Sequence, residues 1–216
     1  MIQNEIQNFF KNNDYVVIKN YITKDVASIF YNYCKTKVAS VDYKIKHYKE
    51  NYDRKWDGGF GEQQVISAYA SYGDVLMDTL LNLSTHNMKL YTNIDLIPTY
   101  SYWRLYEKGN DLKKHIDRKS CEISTTLCLG YDISNLNENN YSWPIFVRDK
   151  NTKQPKPIHL EPGDMLIYRG CELEHWRETF LGLNHAQVFL HYNENNEENR
   201  KNYLDGRPLF GVPKLK

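Results

Sequence analysis

Apolar positions along this chain follow a helical spacing up to about residue 90 and an alternating, strand-like spacing after it. NDYVVIKNYI, from Asn13 to Ile22, is the early exception and reads as a short strand and its exit. Thr23 stands where an N-cap belongs, and KDVASIFYNYCKTKV after it sets Val26, Ile29, Phe30 and Tyr33 near helical spacing. A stretch rich in Tyr and Lys then ends in WDGGFGEQQ, whose glycines and charges predict a loop, either disordered or a lid. Gly73 to Lys89 predicts a second amphipathic helix with Val75, Leu76, Leu80 and Leu83 facing inward. From Tyr91 the segments are short, aromatic and β-branched, with turn signals between them. They are PTYSYWRLY, EISTTLCLGY, WPIFVRD, KPIHL, DMLIYRG and AQVFLHYN. Such a series predicts a β-sandwich or barrel. The expected organisation is a single domain over 1–216, with helical support over 1–90, a β core over 91–193 and an irregular, surface-docked tail over 194–216.

Composition narrows the partners. Lys+Arg 28 against Asp+Glu 27 leaves a net charge of +1, so no basic field calls for duplex nucleic acid. No apolar run is long enough for a membrane span, and the N-terminal MIQNEIQNFFKNND lacks the pattern of a signal peptide. Cys34, Cys121, Cys128 and Cys171 show no C-x-x-C spacing and read as reduced thiols of a cytoplasmic protein. Oligomeric state is not legible.

The chemistry starts at DLKKHIDRKS, residues 111–120. On a strand, His115 and Asp117 share a face, which sets an imidazole beside a carboxylate. Alone, the pair also fits a polar turn after Gly109. It gains weight from LEPGDMLIYRGCELEHWRETFLGLNHAQVFLHYN, residues 160–193, which holds a Pro-Gly-Asp turn, a strand, then His175. Two histidines and one carboxylate are the donor set of a facial triad, which leaves open metal positions on its other side.

YWRLYEKGNDLKKHID, with Tyr106 and Gly109 leading into His115 and Asp117, resembles the first core strand of the Fe(II)/2-oxoglutarate dioxygenases of the prolyl 4-hydroxylase type. EPGDMLIYRGCELEH resembles the turn and strand before that family's distal histidine. The resemblance covers roughly residues 95–193. It implies a mainly β fold with N-terminal helices, a double-stranded β-helix or jelly roll, with Fe(II) held by His115, Asp117 and His175. It also implies 2-oxoglutarate as cosubstrate, chelating the iron and oxidised by dioxygen to succinate while an unactivated C–H bond is hydroxylated. The substrate would be a prolyl or other amino-acid side chain, a peptide, or another small molecule.

One departure matters. Where the family carries an arginine or lysine for the far carboxylate of 2-oxoglutarate, this chain has Asn184, His185, Ala186 and Gln187. A buried dianion needs a cation from elsewhere. Arg177 lies two residues past His175, and Arg104 alternates with Tyr102 and Tyr106 along one strand face. His185 and Gln187 share a face of the last strand, with His185 protonated by the ligand's charge. Arg177 with His185 is the favoured pair, and Tyr106 reads either as core packing or as a hydroxyl donor to the cosubstrate. Arg104 has a structural alternative in a pair with Glu122, Arg177 one as a surface arginine, and Arg118 is expected to face outward. His191 and Tyr192 read as core or rim, Trp176 as packing or a pocket wall, and His47, His86 and His159 as surface. The missing cation leaves two other functions open: a cupin-type metal enzyme without 2-oxoglutarate, and a non-catalytic jelly-roll binding module.

Overall fold

The computed structural model describes residues 3–137 and 141–214; the first and last two residues of the chain lie outside them. Its elements in chain order are α1 (Gln3–Asn13), β1 (Tyr15–Ile18), α2 (Lys24–His47), α3 (Arg54–Asp57), β2 (Tyr69–Tyr72), α4 (Val75–Thr92) and β3 (Leu96–Glu107). There follow β4 (Leu112–His115), β5 (Ile123–Asp132), β6 (Ile145–Arg148), β7 (Pro155–Ile158), β8 (Met165–Tyr168), β9 (His175–Arg177) and β10 (Asn184–Glu194). Two antiparallel sheets form a jelly roll, one in the order β1-β8-β5-β10-β3-β2 and the other β4-β9-β6-β7. No helix among the described residues is long and apolar enough to cross a membrane.

Alternation along the large sheet divides its residues between two cores. Trp103 and Leu105 of β3, Ala186, Val188, Leu190 and Tyr192 of β10, and Met165 and Ile167 of β8 pack outward against the helices, where they meet Phe10, Met77, Leu81 and Met88. The residues between them point into the roll: Tyr102, Arg104 and Tyr106 on β3, and His185, Gln187, Phe189 and His191 on β10. The register sets Gln187 opposite Arg104 and His185 opposite Tyr106. These side chains of β3 and β10 therefore lie on the face away from the helices.

The helices form where expected, but their buried faces are rotated from the expected ones. Thr23 caps α2, its side chain accepting from the Val26 amide, yet Val26 and Ile29 are exposed and Ala27, Cys34 and Val41 are buried. On α4, Val75 and Leu83 are exposed, Leu76 is half-buried, and Met77, Leu80, Leu81, Ser84 and Met88 face the sheet. The reason is polar: Asp78 and Ser84 belong to the buried stripe, and a purely apolar pattern steers away from them. Asp78 is fully buried because Arg207 pairs with it at 2.5 Å, and Gly211 N donates to the same carboxylate. The tail is thus not merely docked on the surface; Leu204 and Arg207 are buried in it.

Candidate metal centre and its cavity

His115 ends β4 and His175 begins β9, and the two are direct partners across the small sheet. A bulge between Leu112 and His115 sets that register. Asp117 lies beyond the strand, in an irregular segment pinned where its amide donates to Gly170 O at 2.8 Å. Strand alternation does not therefore bring Asp117 to His115; the loop does. Gly170 is needed there, since a Cβ would lie 2.5 Å from Asp117 Oδ2 and 2.4 Å from Cys121 O.

The three side chains converge. Asp117 Oδ1 lies 3.6 Å from His115 Nε2 and 3.5 Å from His175 Nε2. Each histidine spends its other nitrogen on a backbone carbonyl: His115 Nδ1 on Lys113 O at 2.8 Å and His175 Nδ1 on Leu173 O at 2.9 Å. Both Nδ1 atoms donate to carbonyls, so each ring turns its Nε2 toward the carboxylate, where a proton or a metal ion can join the two. The second carboxylate oxygen, Oδ2, accepts from Ser124 Oγ at 2.6 Å. Burial alone pushes the Asp117 carboxyl up, but hydrogen bonds from His115 and His175 outweigh it and hold it well below the usual range. His115 loses basicity to burial and regains more from Asp117, so it ends above its ordinary value. Two imidazole Nε2 atoms and one anionic oxygen, each ring and carboxylate locked from behind, suit a divalent transition metal that would take the place of the Nε2 protons. A second group, Asp117, Cys121 and His191, shares that carboxylate. It suits a metal poorly, because burial pushes the Cys121 thiol far up and its sulfur meets Tyr100 Oη.

The triad opens into a cavity of about 440 Å³. Tyr72, Tyr100, Tyr102, Phe189 and His191 give it aromatic walls, and Glu62, Gln64, Arg104 and Arg118 its charged and polar edges. Arg104 is buried, and its charge is met by Glu62, with Nη2 also on Gln64 Oε1 at 3.1 Å and Nη1 on Tyr106 Oη at 2.8 Å. The expected alternative partner, Glu122, instead accepts from Asn199. Arg118 does not point away: it lines the cavity, stacks on Tyr100, and pairs with Asp205 of the tail. The segment read as a loop or lid contributes Glu62 and Gln64 to the wall.

Behind the cavity lies a second charge. Arg177 is 2% exposed, so it is not a surface arginine. Its Nη1 donates to Trp143 O at 2.8 Å, its guanidinium lies 4.6 Å above the Trp143 ring, and Nε has no partner. No carboxylate pairs with it among the described residues, and burial depresses its basicity. Gln187, oriented to satisfy its amide, accepts from Arg177 Nη2 at 3.3 Å and His185 Nδ1 at 3.2 Å and donates to Thr126 Oγ1 at 2.7 Å. Burial, then Arg177, hold His185 well below its ordinary value, so it is a neutral ring packed against Trp143 and Tyr131, away from the main cavity. The expectation of a protonated His185 does not fit that surrounding.

The sequence matches no family model and no curated protein. The fold, however, matches solved structures. A Pseudomonas putida prolyl-4-hydroxylase superposes with a TM-score of 0.61 at 11% identity, over 90% of this chain and 100% of that one. HygX from Streptomyces hygroscopicus, solved with nickel and 2-oxoglutarate, gives 0.61 at 10% identity over 90% and 88%. The chain has the jelly roll of the 2-oxoglutarate/Fe(II) oxygenases. SnoK, a non-heme alpha ketoglutarate dependent carbocyclase of nogalamycin biosynthesis, shares it over 98% of this chain and 93% of its own, with a TM-score of 0.62 at 11% identity.

Of the residues singled out from sequence, His115, Asp117 and His175 form one cluster and Arg104 lines its cavity, while Tyr106, Arg177, Gln187 and His185 lie deeper. Sequence reasoning missed Ser124, Glu62 and Asp205. No motif marks them; Ser124 alone was reachable, as a polar residue on the inward face of EISTTLCLGY.

Proposed function

We propose that this protein is an Fe(II)- and 2-oxoglutarate-dependent oxygenase that hydroxylates an unactivated C–H bond. The observation that carries the reading is the pair of histidines whose Nε2 atoms both face Asp117 Oδ1 while their Nδ1 atoms are tied to backbone. His115, Asp117 and His175 would hold Fe(II), which with 2-oxoglutarate and dioxygen supplies the oxidising power. The protein's part is to bind, orient and shield.

Arg177 is the anchor for the far carboxylate of 2-oxoglutarate. A buried guanidinium with no acid partner among the described residues is costly to maintain, and a bound carboxylate relieves that cost. Tyr106 accepts from Arg104, which leaves its own proton for the same carboxylate. Gln187 holds the Arg177 fork in place, and neutral His185 orients Gln187. Arg104 is the weaker anchor because Glu62 already meets its charge. The aromatic cavity then takes the substrate, an amino-acid side chain, peptide or other small molecule. One fold neighbour is a prolyl-4-hydroxylase and another is solved with hygromycin B.

Calorimetry of 2-oxoglutarate on the Ni(II)-loaded protein tests the assignment. Binding is expected only with metal present, and Arg177→Met is expected to weaken it by about tenfold to a hundredfold, the loss of a charged hydrogen bond. Cosubstrate that binds equally well to Arg177→Met would remove Arg177 from the site. Metal-loaded protein that binds none would favour a cupin-type enzyme on this roll.

A further inference from the structure

The loop that carries Asp117 is held from two sides. Its carbonyls are met by the roll: Arg118 O accepts from Cys121 N at 2.9 Å, Lys119 O from Asn193 Nδ2 at 3.1 Å, and Ser120 O from Thr99 Oγ1 at 2.7 Å. Its side chains are met by the tail. Asp205 takes both prongs of Arg118, Nη2 at 2.7 Å and Nη1 at 3.1 Å, and accepts from Ser120 Oγ at 3.1 Å. Nη1 also donates to Ser120 Oγ at 3.0 Å, so the three side chains close a triangle. Tyr72 Oη donates to the same carboxylate at 2.7 Å, and Tyr100, stacked on Tyr72, carries the Arg118 guanidinium 4.4 Å above its ring. The backbone that delivers Asp205 has positive φ at three successive residues, 51° at Leu204, 54° at Asp205 and 73° at Gly206. A leucine rarely takes that region, because its Cβ crowds the following carbonyl. Leu204 is buried, and Arg207 just beyond pairs with Asp78, so the turn is fixed at both ends.

We infer that Asp205 is a positioning residue of the metal centre, acting through Arg118 to fix the loop on which Asp117 sits. The inference rests on the metal assignment in the oxygenase reading and extends the site to the tail. Exposure argues against a purely structural role. The Arg118 side chain is 51% exposed, and an ion pair so exposed adds little to stability. The strained turn at Leu204 offsets even that, and strain kept beside a reactive site points to a constraint of function. What the contact does secure is geometry, since a planar fork on a carboxylate fixes direction as well as distance. Arg118 follows Asp117 in the chain, and Asp117 is tied on its other side, where its amide meets Gly170 O. With both flanks anchored, the Asp117 carboxylate is held toward His115 and His175.

The test follows Co(II) uptake by the whole chain, natural and variant, with the visible spectrum as readout. The natural chain is expected to take up Co(II), and His175→Ala to abolish it. Asp205→Asn is expected to weaken uptake about tenfold and to alter the spectrum, since groups behind a ligand set its orientation. Arg118→Gln is expected to do the same. The double variant is expected to be no weaker than either alone, because both changes remove one contact. Thermal unfolding of the metal-free Asp205→Asn chain is expected to fall by no more than about 3 °C. An unchanged affinity and spectrum in Asp205→Asn would overturn the inference and leave the tail a strap on the fold. So would weakenings that add in the double variant, or a much larger fall in unfolding temperature shared by both single variants. A natural chain that takes up no Co(II) would overturn the metal assignment itself, and the inference with it.

Discussion

At the scale of single residues, the site is governed by which nitrogen and which oxygen is left free. His115 and His175 each lose one nitrogen to a carbonyl, and Asp117 loses one oxygen to Ser124. What remains is one nitrogen from each ring and one carboxylate oxygen, all directed at one point. Ser124 is thus a positioning residue for Asp117, and groups of this kind carry a measurable share of metal affinity. Ser124→Ala is expected to weaken Co(II) binding by about tenfold and to alter the Co(II) visible spectrum, whereas Ser124→Thr keeps both. An unchanged affinity and spectrum in Ser124→Ala would show that Asp117 is held by the fold alone. Arg177 follows the same logic in reverse: a buried cation with no carboxylate partner among the described residues marks where a ligand's charge belongs.

At the scale of elements, the strands were legible and the helix faces were not. PTYSYWRLY, EISTTLCLGY and AQVFLHYN announce β3, β5 and β10 because alternation is written directly into residue type. The inward set Tyr102, Arg104 and Tyr106 could be read the same way. The triad was legible through the spacing and type of His115, Asp117 and His175, although a loop and not a strand delivers Asp117. The buried face of α4 was not legible, because Asp78 enters the core only with Arg207 from 129 residues further on. No local pattern encodes such a pair. Breaking it strands a buried carboxylate, so Arg207→Met is expected to cost about 3–5 kcal/mol. Thermal unfolding reads this as a fall of roughly 10 °C. Asp78→Asn in the same chain should recover part of that loss; no recovery would mean that the arginine acts through packing alone.

At the scale of the whole molecule, distant segments meet at one cavity. Glu62 and Gln64 come from before the roll, Asp205 from after it, and Arg118, from the loop that carries Asp117, joins the last of these to the wall. With α1, α2 and α4 sharing one core with the large sheet, the account predicts one cooperative unit over the whole chain. Calorimetric and van't Hoff enthalpies are expected to agree, and two resolved transitions would split the helical layer from the roll. The central claim, that three side chains hold iron with 2-oxoglutarate on its open side, is tested most directly without oxygen. Fe(II) is added to metal-free protein, then 2-oxoglutarate, and the visible spectrum is followed. A saturable charge-transfer band that His175→Ala abolishes is the predicted result; bound iron with no band at any cosubstrate concentration would contradict the account.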